Sequence, residues 1–207
     1  MTVICPTVTV ETPKEYAEQL ATVTRFAERI HVDVADDTFT PRQLLPLAQI
    51  YLPEGVTSDI HVMLTNPFAE LMTLISLQPN LVVVHAEAKG NLAKGMAELQ
   101  KVGIKAGIAL LPDTPVASAA KLIPKADHVL IFAGKLGYQG GEADMTQTTK
   151  IAEIRALNPT CEIGWDGGVN DQNAAELMAA GVTVLNVGGY IHHATDPAAA
   201  YARLVNI

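Results

Sequence analysis

Four side chains in this sequence could do chemistry together: His31 and Asp33 in IHVDV, His61 in SDIHVML, and Asp166 in IGWDGGV. Each lies at the end of a short apolar run. Two imidazoles and two carboxylates are N and O donors of the kind that hold Zn²⁺, Fe²⁺, Mn²⁺ or Co²⁺, and together they balance a divalent charge. The carboxylates could also work as a pair of proton-transfer groups. A lone strand histidine is ordinarily a hydrogen-bonded core residue. Four ionisable groups at matched strand ends are harder to read that way, because unpaired buried charge is strongly unfavourable. Period-two alternation puts His31 and Asp33, two residues apart, on the same side of their strand.

Glycines form a second set: Gly137, Gly140 and Gly141 in one loop, then Gly167-Gly168, then Gly188-Gly189. Any one pair reads as a tight turn. Three sets on consecutive loops suggest a backbone cradle for a phosphate, whose oxygens accept from main-chain N–H groups.

Elements that must position these residues alternate along the chain. Strand-like runs cover Val3–Val8, Ile30–Val34, Thr57–Met63, Leu81–His85, Lys105–Leu110, His128–Phe132, Cys161–Trp165 and Thr183–Val187. They are short and rich in Val, Ile and Leu, as suits parallel strands buried on both faces. Thr12 followed by Pro13 and Glu15 is a capping box that opens a helix through about Glu28. Further helices are expected over Asn66–Leu77, Gly90–Val102, Pro115–Ile123, Met145–Leu157, Asn170–Ala180 and Pro197–Val205, with a weaker one over Pro41–Leu52 interrupted by Pro46. Eight strand–helix units predict a single (β/α)8 TIM barrel over residues 1–207, near the lower size limit for that fold. An open doubly wound sheet is disfavoured because no strand leads into a G-x-G-x-x-G turn. In a barrel, the C-terminal strand ends form the active-site face. Trp165, adjacent to Asp166, then points outward into the helix layer.

Composition narrows the function classes. The 207 residues are 49% hydrophobic and 17% charged, with net charge −8 and two cysteines, Cys5 and Cys161. There is no basic run, which argues against nucleic acid or an anionic membrane as partner. No stretch approaches the roughly 18 apolar residues of a membrane span, and the first residues lack the pattern of a secretory signal. Two thiols without a dense framework suit a reducing cytoplasm. Whether the chain forms a homo-oligomer is not written in its sequence.

These motifs match a family, in order along nearly the whole chain. HVDVADDTFTP, running from His31 to Pro41, resembles the H-x-D-x-M-D-G-x-F-x-P signature of ribulose-phosphate 3-epimerases. Asp59, His61 and Met63 resemble its D-x-H-L-M; His85 and Glu87 its H-x-E; Gly137–Gly141 its G-F-G-G-Q loop. Asp166-Gly167-Gly168 and Gly188-Gly189 look like its D-G-G and G-[SG]-A-I segments. The resemblance implies a barrel that epimerises a phosphorylated ketose at C3 through a 2,3-enediolate, with ribulose 5-phosphate and xylulose 5-phosphate as the default pair. It implies His31, Asp33, His61 and Asp166 as ligands of a divalent metal, and Asp33 and Asp166 as the acid/base pair. Substrate contacts would come from His61, the seven glycines and Thr7, which stands near the family's strand-1 serine. Inversion at a carbon needs proton removal on one face and return on the other, which two carboxylates on opposite sides can supply. A divalent ion would stabilise the enediolate.

Several positions depart from the pattern. Ala35 stands for a methionine, Asp37 for a glycine, and the loop around Lys135 is longer than the family lead-in. Lys135 is either a substrate contact or a solvated loop residue; Asp36 reads as forming the turn or backing the site, His85 and Glu87 as supports of the site or as a structural hydrogen bond, and His192-His193 as a surface turn. These departures leave open an epimerase, aldolase or isomerase acting on another ketose phosphate such as a hexulose 6-phosphate, or a non-catalytic sugar-phosphate-binding barrel. The D-x-K-x-x-D pattern of related decarboxylases and synthases is disfavoured by Ala35 at the lysine position.

Overall fold

Apolar residues, Val, Ile and Leu foremost, recur along eight strands, which appear in the computed structural model of residues 2–207 at β1 (Val3–Val8), β2 (Arg29–Ala35), β3 (Thr57–Met63), β4 (Leu81–His85), β5 (Lys105–Leu110), β6 (His128–Phe132), β7 (Glu162–Asp166) and β8 (Val184–Val187). Every neighbouring pair is parallel, and β8 returns to pair with β1, closing the barrel. The expected (β/α)8 architecture is therefore present.

Alternation divides each strand between two environments. Outward residues such as Ile30, Val32, Ile60, Val84, Ile131, Ile163, Trp165 and Leu185 join one large apolar cluster with the helix residues Leu20, Leu74, Met96, Leu99, Ile154, Leu177 and Leu204. Each such side chain stabilises the fold by roughly 1.5–3 kcal/mol on burial. Inward residues Leu81, Val83, Ala109 and Leu130 make a small separate cluster that fills the lumen. Polar groups occupy the lumen above and below it. Gly164 on β7 belongs to this inner surface, where a Cβ would collide with the His128 imidazole.

The helical layer departs from expectation in identifiable places. Helix α1 (Pro13–Val23) has the full capping box: Thr12 Oγ1 accepts from Glu15 N–H while Glu15 accepts from Thr12 N–H. It stops at Val23 instead of reaching Glu28, where Thr24 turns its hydroxyl back onto the Leu20 carbonyl. Helices α2 (Leu71–Leu77) and α4 (Lys150–Leu157) are each preceded by a 3-10 turn. Helix α3 (Leu92–Lys101) starts two residues later than expected, because Gly90 has φ +101° and Asn91 caps Lys94 N–H. Helix α5 (Ala174–Ala180) starts after an asparagine turn at Asn170 and Asn173.

Two expected helices do not form. After β2 there is only a 3-10 turn at Leu47–Gln49, and after β5 two 3-10 turns at Val116–Ala119 and Ile123–Lys125. Pro41 and Pro46 in the first segment, and Pro115 and Pro124 in the second, remove N–H donors and disfavour helix at the preceding residue. A short helix α6 (Gly189–His192) follows β8 where none was expected, and α7 (Pro197–Val205) closes the chain. No helix among the described residues is long and apolar enough to cross a membrane.

Candidate metal and proton-transfer site at the barrel mouth

His31 and Asp33 both face the lumen, as their spacing on β2 requires. Register pairs Asp33 with His61 on β3, and Asp166 ends β7. One donor atom from each of these four residues lies within 4.8 Å of all the others. Asp33 Oδ1 is 3.0 Å from His61 Nδ1 and 3.5 Å from His31 Nε2; Asp166 Oδ2 is 3.7 and 3.8 Å from the same nitrogens. His61 is fully buried, His31 and Asp33 nearly so, and Asp166 is partly exposed, its side chain 14% accessible.

The set fits a divalent ion on its own chemistry. His31 Nε2 is buried, points at both carboxylates and has no hydrogen-bond partner in the protein. No lysine or arginine lines the cavity among the described residues. The two carboxylates respond in opposite ways. Burial works against ionising Asp33, but the His31 imidazole facing it and the hydrogen bond with His61 outweigh it and hold the carboxyl below its ordinary range. Thr9 Oγ1 donates to its other oxygen at 2.5 Å. Asp166 is pushed up to about 6, by burial first and then by the Asp33 charge beside it. For His31, burial opposes protonation, yet Asp33 and Asp166 hold the imidazole above its ordinary value.

A second row of residues orients His61. Its Nε2 lies 2.8 Å from His85 Nε2, so one proton is shared between them. If His61 presents Nδ1 to a cation, its Nε2–H donates and His85 accepts. His85 then carries its own proton on Nδ1, which faces Glu87 Oε2 at 3.4 Å. Burial keeps the His85 imidazole neutral, its pKa pushed down to about 4. Burial opposes ionisation of Glu87 as well, but the His85 imidazole facing it, Thr114 and the Leu111 N–H, which donates to its Oε1, bring it down to about 2. This is the outer support that fixes a ligating histidine's tautomer.

The glycines ring the other end of the same cavity. Gly137, Gly140, Gly141, Gly167, Gly168, Gly188 and Gly189 all line it, with Thr7, Asp33 and Asp166. Gly167 and Gly168 have φ +119° and +67°, and a Cβ on either would run into the backbone of Gly134 or Ala143 in the loop after β6. Thr7 is buried and receives Gln139 Nε2 at 3.4 Å.

Other expectations meet mixed outcomes. Asp36 does form the turn, accepting from Thr38, Phe39 and Thr65 N–H groups. Asp37 is exposed without left-handed backbone. Lys135 is not at the cavity; it sits over the Tyr138 ring at 4.4 Å. Ala35 packs against Leu44, Met63, Phe39 and Leu136 rather than lining the cavity. The histidine pair is not a free surface turn: His192 Nε2 meets the Thr7 carbonyl at 2.7 Å, and His193 lines the cavity beside Gly189. Thr9 and Asn186 also line the cavity and were not anticipated. Alternation from Thr7 would have found Thr9, and an asparagine within the apolar TVLNV run was the available signal for Asn186.

A family model for the ribulose-phosphate 3-epimerase family matches residues 3–192. The chain belongs to the ribulose-phosphate 3-epimerase family. It is 33% identical over 193 residues to a ribulose-phosphate 3-epimerase of Helicobacter pylori, covering 87% of each chain. It is 28% identical over 194 residues to one of Aquifex aeolicus, covering 90% of this chain and 87% of that one. As a family member it is an isomerase, an epimerase acting on carbohydrates. Among solved structures, 3-keto-L-gulonate-6-phosphate decarboxylase from Vibrio cholerae superposes with a TM-score of 0.76 at 10% identity, over 99% of this chain and 96% of that one. At that identity the likeness establishes the barrel alone.

Proposed function

We propose that this epimerase inverts C3 of a phosphorylated ketose, with Asp33 and Asp166 exchanging the proton on opposite faces and a divalent ion held by His31, Asp33, His61 and Asp166. The observation that carries the reading is the convergence of both carboxylates and both imidazoles at one mouth, their donor atoms within 4.8 Å of one another. One carboxylate is held ionised and the other is pushed up to about 6 at the same mouth. Environments that drive a pair of carboxyls apart create a base and an acid at near-neutral pH.

The chain's residues then divide the work. One carboxylate takes the C3 proton and leaves a 2,3-enediolate; the other carboxyl returns a proton to the opposite face, so the pair exchanges protonation states. The reverse epimerisation runs the same steps backward. Thr9 fixes the Asp33 carboxylate, and Glu87 and His85 fix His61. When bound, the ion supplies positive charge against the developing enediolate. Backbone N–H groups of the loops after β6, β7 and β8 hold the phosphate, which explains how a chain of net charge −8 takes an anionic substrate. Ribulose 5-phosphate and xylulose 5-phosphate are the substrates assigned.

Deuterium wash-in at C3 in D₂O tests this. Metal-replete protein should exchange the C3 hydrogen of a ketopentose 5-phosphate. Asp166→Asn should lose turnover by roughly 1,000-fold or more while remaining folded. Exchange confined to a hexulose phosphate would move the substrate assignment. Absence of exchange with any ketose phosphate, or full activity in Asp166→Asn, would refute the proton-transfer roles.

A further inference from the structure

One polar side chain at the mouth is claimed by none of these roles. Asn186 sits in β8, 2% exposed, its backbone in register with Asp166 on one side and Cys5 on the other. Neither its Oδ1 nor its Nδ2 has a hydrogen-bond partner in the protein. Asn158, also buried, shows what a structural asparagine does: its Nδ2 donates to the Ile123 and Ala126 carbonyls and its Oδ1 accepts from Thr160 and Cys161 N–H. A buried carboxamide with no partner is destabilising. Elsewhere in the lumen Val83 and Leu130 fill space without that cost. Asn186 instead lines the cavity shared by Asp33, Asp166 and Thr7.

We propose that Asn186 is a specificity-determining residue that hydrogen-bonds a hydroxyl of the bound sugar beside the carbon whose proton moves. A neutral carboxamide both donates and accepts, which matches a hydroxyl and gives no preference for phosphate or cation. Its register with Asp166 places it at the proton-transfer end of the cavity. Gly188, at the phosphate end, lies two residues further along the chain. The hydroxyls at that end outside the reacting C2–C3 unit are those on C1 and C4. This assignment rests on the epimerase reading.

The test compares wild type with Asn186→Leu, a near-isosteric apolar change. Calorimetric Kd and kcat/KM are measured for xylulose 5-phosphate and its 1-deoxy and 4-deoxy analogues. Wild type should favour the parent sugar over one analogue by about tenfold, and the variant should lose that preference while keeping the other. Which analogue responds identifies the hydroxyl. The melting temperature should hold or rise, since an unpartnered amide is removed; Asn186→Val serves if the leucine variant does not fold. Equal discrimination by wild type and variant toward both analogues overturns the assignment and makes Asn186 a structural residue. Failure of wild type to bind any ketose phosphate overturns the epimerase reading along with it.

Discussion

The two ends of the barrel carry similar charged groups and settle them differently. At the floor, where the strands begin, Arg29 donates through Nε to Asp59 at 2.7 Å and through both terminal nitrogens to Glu162 at 3.0 and 2.9 Å. Asn80 donates to the remaining Asp59 oxygen, and His128 Nδ1 lies 3.1 Å from Glu162. Every carboxylate oxygen there has a partner, and a guanidinium supplies the cation. At the mouth two carboxylates face two imidazoles with no guanidinium or ammonium among them, and His31 Nε2 is left over. Apart from His128 Nε2, which like His31 Nε2 is buried without a partner, the floor's charged groups are paired within the polypeptide. The mouth is complementary to a cation the polypeptide does not provide, which is what separates a structural charge cluster from a candidate site with the same residue types.

The sharpest way to break this contrast is to remove the floor's own cation. Arg29→Met should leave Asp59 and Glu162 uncompensated and destabilise the protein by roughly 3–5 kcal/mol, read by chemical denaturation. Activity per folded molecule should be unchanged. A loss of turnover with no loss of stability would show that the floor is part of the site.

Next comes the sign of the pH response. Asp166 is held near 6, above its unfolded value of about 4. Its charge therefore weakens the metal-free fold above about pH 6, and that effect is gone below about pH 4. Asp166→Asn should raise the melting temperature of metal-free protein at pH 8, by up to about 3 kcal/mol of stability, with no gain at pH 4. Glu162 behaves oppositely: burial opposes ionisation, but His128 and Arg29 hold its carboxyl below the ordinary range. Glu162→Gln should lower the melting temperature at pH 7, and the difference should shrink as pH falls below about 4.5. Matching profiles for the two variants would erase the distinction between the ends.

A further variant sharpens the mouth itself. Glu87→Gln should weaken divalent-ion affinity by about 10- to 100-fold through His85 and His61, measured by competitive chelation, and should also lower the metal-free melting temperature at neutral pH, because a carboxyl held down to about 2 stabilises the fold while ionised. An unchanged affinity would reduce the His61–His85–Glu87 row to packing.

Much of this was legible in the sequence because it follows from period-two alternation and strand order. His31, Asp33, His61 and Asp166 could be placed at one mouth from spacing alone, and the Thr12 capping box set the start of α1. What escaped depends on long-range register or on local competition. The pairing of Arg29 with Glu162 joins residues 133 positions apart. The segments after β2 and β5 kept an apolar pattern while their prolines withheld the donors a helix needs. Asn186 looked like one polar residue in a strand, and only its lack of partners made it informative.

The glycine contacts between the loops after β6 and β7 bear on how this barrel can change over evolutionary time. No side chain can be introduced at Gly167 or Gly168 without rebuilding the Gly134–Ala143 segment against which they rest. The glycine-lined end of the cavity is thus nearly closed to sequence drift. The end beside Asp166 is lined by single replaceable side chains such as Asn186. Under the proposed function, new substrates would be reached by changing what is recognised around the reacting carbon while the phosphate handle stays the same.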